Sequence, residues 1–206
     1  MPRMSRDELE DIIIEGLKVV SVTADEKALH EISGLSKGLP HYTHLLGLHA
    51  GRAAIRHDSS LLSVSHVKEA IGASIDGAQH SIRNAYHKAT LSQRKTASYV
   101  ETLLACAMAE TDEFGFFTAV DVRDPMACVM KKNIQLESYA KKLHKFCEEE
   151  RGSVLRKTEM HGRARFRFLN PLMQPFVLMK GLHDGLIREQ DLDLWSYNNP
   201  QKRLFR

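Results

Sequence analysis

Apolar residues recur through most of this chain at steps of three and four, the signature of amphipathic helices. Leu9, Ile12, Ile13, Leu17 and Val20 form one stripe. It is introduced by Ser5-Arg6-Asp7-Glu8, a serine N-cap with glutamate three residues on. Thr23-Ala24-Asp25-Glu26 repeats the capping pattern ahead of Ala28, Leu29, Ile32 and Leu35, and Gly38 is placed to close that helix as a C-cap. Pro40 suits the first turn of a third helix, running through Leu45, Leu46, His49 and Ala53 to about Ile55. After the loop His57-Asp58-Ser59-Ser60, Ser65 can cap a fourth helix carrying Val67, Ala70, Ile71, Ile75 and Ala78 and reaching towards Tyr86. Short-looped helices with apolar stripes predict a four-helix bundle over residues 1–90.

The pattern changes in the second half. Thr90 to Ser92 marks a domain boundary, and Ser92 can cap a helix with the stripe Val100, Leu103, Leu104, Ala107 and Met108. Residues 111–115 read as a turn and Phe116-Phe117 as a short extended segment. A further helix is expected from Thr118, with Asp121 in the box position and Asp124-Pro125 interrupting it. Residues 135–149 repeat the helical stripe through Leu136, Tyr139, Ala140, Leu143, Phe146 and Cys147, leaving Lys141, Lys142 and Lys145 towards water. Arg151-Gly152 can end that helix. Ser153 to Glu159 and Arg163 to Leu169 then read as two strands of a β-hairpin around His161-Gly162. In the second strand Arg163, Arg165 and Arg167 alternate with Ala164, Phe166 and Phe168, which puts the arginines on one face and the aromatics on the other. A helix–turn–helix followed by a hairpin is the outline of a winged helix, here over residues 91–188. A last helix carries Met173, Phe176, Val177, Met179 and Leu182, a stripe expected to pack back on this domain, and residues 189–206 read as a loose tail. The predicted fold is mainly α with one β-hairpin.

Composition adds little beyond this. The 206 residues are 43% hydrophobic, enough to bury a real core. No run approaches a membrane span and no apolar signal segment opens the chain, so a cytoplasmic protein with no membrane partner is expected. Cys106, Cys128 and Cys147 have no metal-ligand spacing and read as reduced core residues. Net charge is +3, unevenly spread: residues 1–90 hold 10 Lys and Arg against 11 Asp and Glu, so the positive excess lies in the second half. That asymmetry fits a polyanion partner, and equally a solvated basic face.

The candidate site is therefore Lys141, Lys142, Lys145, Arg163, Arg165 and Arg167, with DNA phosphates as the partner if the helix enters the major groove and the wing lies alongside. A protein-docking wing is the competing reading, and Glu148, Glu149, Glu150 and Glu159 dilute the field. His41 and His44 share a helix face with no carboxylate or cysteine at a matching ligand spacing, so no metal is expected. No nucleophile–base pair stands out, and the chain is not expected to be an independent enzyme.

A bundle followed by a winged helix resembles the C-terminal part of an AAA+ ATPase, in the manner of the Orc/Cdc initiator group and of bacterial AAA+ ATP-binding proteins with the same tail. Ile32-Ser33-Gly34-Leu35-Ser36-Lys37-Gly38-Leu39-Pro40-His41-Tyr42-Thr43-His44-Leu45-Leu46 is similar to the lid segment in which a Gly-x-Pro-Arg turn starts the sensor 2 helix. Ser5 to Leu17 resembles the first lid helix and Ser65 to Ile71 the last. The resemblance implies a nucleotide-sensing role for His41, where the family has Arg. It also implies ATP and Mg for a parent protein and an AAA+ core as partner, in cis or in trans. This chain has no Gly-x-x-x-x-Gly-Lys-Ser/Thr and no apolar strand ending in paired acids, so no cofactor is expected to bind here. Its start at Met1, where a lid would begin, fits a C-terminal piece or a relative without the core. The other reading is a stand-alone winged-helix regulator or adaptor.

Overall fold

The computed structural model describes residues 3–92, 97–112, 114–160 and 162–193. Among these it is mainly helical, and the chain divides into two compact units, 1–78 and 79 onward.

In the first unit, α1 (Arg6–Lys18) starts on the expected capping box: the Glu8 amide donates to Ser5 Oγ at 3.3 Å and the Ser5 amide to Glu8 Oε2 at 2.7 Å. Those bonds from Ser5 hold the exposed Glu8 carboxyl below its ordinary pKa. Leu9, Ile13 and Leu17 are buried. The second expected box is not one. Thr23–Ala24 form a strand, β1, parallel to β2 (Leu61–Leu62), and Asp25 caps α2 (Glu26–Ser36). Two-residue strands show no alternation, so neither was visible in the sequence. Here α2 ends one residue early, with Lys37 left-handed at φ 48° and Gly38 at φ 76°. Pro40 is the first residue of α3 (Pro40–Arg56), as its missing amide donor allows. The cap of α4 (Val64–Asp76) is Ser63, not Ser65, and His66 takes the usual acidic place in the box by accepting from the Ser63 amide at 3.1 Å.

The fourth helix does not reach Tyr86. It stops at Asp76, and α5 (His80–Thr90) is a separate helix belonging to the second unit, where it packs on α6 and α9. The structure therefore divides the chain near 78, not at 90. After α6 (Tyr99–Met108) comes β3 (Phe117–Thr118). The expected box at Thr118 exists but lies before any helix: Asp121 accepts from the Thr118 amide and hydroxyl, both at 2.8 Å. The next helix, α7 (Arg123–Met130), begins later, so Pro125 falls in its first turn and interrupts nothing. It is followed by α8 (Leu136–Lys145), a 3-10 turn at Glu149–Arg151, β4 (Leu155–Met160), β5 (Arg163–Phe168) and α9 (Met173–His183). Residues 189–193 of the expected tail form a short helix, α10 (Glu189–Asp193), with Leu192 buried; the rest of that expectation lies outside the described residues.

The strands form one antiparallel sheet in the order β3-β5-β4. Its inner face carries Phe117, Phe166 and Phe168, with Phe117 6.3 Å from each of the other two rings, and Leu155 lies opposite Phe168. Tyr139, Leu143 and Phe146 from the helix ahead of the hairpin are all fully buried. The backbone of Leu155 donates to Phe146 O at 3.0 Å and so ties hairpin to helix. Against α6, α9 packs tightly: a Cβ at Gly181 would stand 2.6 Å from Leu104 Cδ1, and Gln174 donates to Ala107 O at 2.9 Å. No helix among the described residues is long and apolar enough to cross a membrane.

Candidate nucleic-acid interface

The helix α8 is positioned by its own stripe. The Tyr139 hydroxyl donates to Ala119 O at 2.9 Å, fixing the helix against the loop after β3. On its outer side Lys141 and Lys145 are exposed and have no hydrogen-bond or ion-pair partner among the described residues. Lys142 corrects the expectation that all three lysines face water. Its ammonium donates to Ser98 Oγ at 2.7 Å and lies 5.9 Å from the Tyr99 ring centre. Burial lowers its pKa, with Glu101 acting the other way. It fastens α8 to the start of α6.

The arginines of β5 share one face, as the period of two requires. Register adds a residue that single-strand periodicity could not: Arg156 on β4 lies directly opposite Arg167 on this same face. Phe116, just ahead of β3, is the aromatic of this face, with the guanidinium carbons of Arg165 and Arg167 5.1 and 5.0 Å from its ring centre. Arg165 is also paired with the Asp112 carboxylate. Burial acts to raise the Asp112 pKa, but the Phe116 amide at 2.8 Å, Arg165 and the Phe114 amide at 3.0 Å outweigh it and hold it below the usual carboxylate value. Arg163 is exposed at the hairpin end, and neither it nor Arg156 has an ion-pair partner among the described residues.

The lysine helix and the arginine row do not form one surface. His144 of α8 meets Phe166 edge-on at 5.3 Å, which puts the helix on the inner side of the sheet. Phe166 alternates with Arg165 and Arg167, so the arginines project from the opposite side.

In the first unit His41 is exposed in the first turn of α3, edge-on to Tyr42 at 5.4 Å. The turn before it is held by Arg3, which donates to Lys37 O at 2.9 Å, and by the Met4 amide, which donates to Gly38 O at 3.0 Å. Burial, then repulsion from Arg3 and Arg6, lowers the Lys37 ammonium to about 8. A groove of about 430 Å³ runs between α1 and α3, walled by Ile12, Val20, Leu48 and Ile55, with His44 and Arg52 at its edge. Glycine makes this approach possible: a Cβ at Gly51 would already stand 3.2 Å from Leu17 Cδ2. Among the described residues no three His, Cys, Asp or Glu side chains gather as a metal site. All three cysteines are free, and burial pushes the Cys106 thiol well up.

No family model, curated protein or solved structure matches this chain.

Proposed function

We propose that the chain is the C-terminal lid and winged-helix part of an AAA+ ATPase, and that its second unit contacts duplex DNA through α8. The carrying observation is the order from α6 to β5 within that unit, helix–strand–helix–helix–strand–strand, with the late strand β5 inserted between β3 and β4 and two lysines without a partner among the described residues on the helix ahead of the hairpin. In this reading Lys141 and Lys145 meet phosphates along a groove. The first unit is the lid: the Gly38-to-His41 turn faces nucleotide, the groove between α1 and α3 rests on the core, and ATP and Mg belong to that core. The His41 imidazole is shorter than the family's Arg and lacks its fork of donors, so phosphate sensing here is weak.

The test is a duplex-binding titration across a salt series. Lys141→Ala should weaken binding similarly on unrelated sequences and lower the salt slope by roughly one. Duplex binding with no salt dependence, or none at all, overturns the DNA contact. The competing reading, a protein-docking adaptor, is favoured by the apolar α1–α3 groove, and predicts an unchanged duplex titration for Lys141→Ala.

A further inference from the structure

We infer that the outer face of the hairpin sheet is a separate site for single-stranded nucleic acid, with Arg156 and Arg167 holding phosphate and the exposed Phe114 stacking a base. Arg156 and Arg167 face each other directly across the β4–β5 ladder. Like charges in that position repel, and no carboxylate among the described residues stands between them. An anion bridging the two guanidiniums removes the repulsion. The basic residues of this face are all arginine, with Thr158 and Met160 beside them on β4 and Asp112 paired to Arg165, whereas α8 carries lysines. Guanidinium is the fork that grips a phosphate through two donors and stacks flat on a ring. Arg165 and Arg167 already hold their guanidinium carbons 5.1 and 5.0 Å from the Phe116 ring centre.

The anion class follows from the neighbouring ring. Phe114 is 68% exposed, two residues ahead of Phe116, and the Asp112 carboxylate accepts from both their amides. A large exposed aromatic two residues from the ring that the arginines already touch fits a strand whose bases are unstacked and whose phosphates are regularly spaced. An acidic peptide would satisfy the arginines and leave the ring with nothing to stack. A duplex buries its bases and offers the ring no face. The site lies on the side of the sheet away from α8, and it does not depend on the duplex contact or on the AAA+ assignment.

Fluorescence anisotropy with labelled oligothymidylate and, separately, a labelled duplex tests this on the full chain. Arg156→Gln/Arg167→Gln should weaken oligothymidylate binding roughly tenfold or more and lower its salt slope by about 1.4, two contacts at about 0.7 each. Phe114→Ala should cost roughly fivefold or more on the same probe. Both variants should bind duplex as the native chain does, and their far-ultraviolet circular dichroism should be unchanged. Lys141→Ala/Lys145→Ala should show the reverse: weaker duplex binding with the single strand retained. Unaltered oligothymidylate binding in the arginine variant overturns the inference, as does tighter capture of a polyglutamate peptide than of the oligonucleotide. Loss of single-strand binding in the lysine variant also overturns it, because the two sites would then be one.

Discussion

Tyr139 joins the fold of the second unit to the helix that carries its exposed lysines. Its ring is fully buried and its hydroxyl makes one bond among the described residues, 2.9 Å to the carbonyl of Ala119. Tyr139→Phe keeps the ring, so no cavity forms and the transfer of apolar surface is unchanged. What remains is the loss of one hydrogen bond and a carbonyl left without its partner, a cost of about 1–3 kcal/mol. Ala119 is half-exposed, so water recovers part of that bond and the expected loss is about 1–2 kcal/mol. Urea unfolding followed by circular dichroism reads this directly. At a slope of about 2 kcal/mol per molar, the midpoint of the second unit should fall by about 0.5–1 M with the slope unchanged. Coincident curves for Tyr139→Phe and the native chain would refute the assignment of that bond as an anchor. A changed slope would mean the substitution altered the unfolded state instead.

Two other outcomes follow from single residues. Gly152 sits at φ 76°, and a Cβ there would stand 2.9 Å from the backbone oxygen of Ala85, which cannot move aside as a side chain would. Gly152→Ala should therefore cost at least about 2 kcal/mol, left-handed backbone and overpacking together, read as a lowered Tm. Lys37 has a folded pKa of about 8 against an ordinary value of 10.5, so between those values the unfolded chain holds the extra proton and stability rises with pH. Below pH 8 the folded state bears the cost of a half-buried charge near Arg3 and Arg6. Lys37→Met should stabilise the first unit by about 1–2 kcal/mol at pH 7, an advantage that fades towards pH 10.5 in paired thermal melts.

The sequence made legible what local rules decide. Capping at Ser5, proline at the start of α3, the stripe of α8 and the alternation in β5 each produced the element they implied, because helix period and strand pleat act within a few residues. Elements decided by distant partners were hidden. Thr23–Ala24 is a strand only because Leu61–Leu62 lies beside it, and the Thr118–Asp121 box caps a turn because β3 is held by β5. The site divided in the same way. That Arg163, Arg165 and Arg167 share a face was visible. That Arg156 joins them required the β4–β5 register, and that Lys142 turns inward required Ser98 and Tyr99, more than forty residues away.

Arg151 bears on how the second unit would respond to force. Its guanidinium donates to the carbonyls of Ala89 and Leu91 at the end of α5, and lies 3.9 Å above the ring of Tyr99 at the start of α6. One residue later the chain turns at Gly152 against Ala85 of α5. The root of the hairpin is thus riveted to the first helix of its unit. Tension entering through α5 would be borne by these contacts in shear, and the hairpin would be pulled as one piece with that helix before its own strands could unzip.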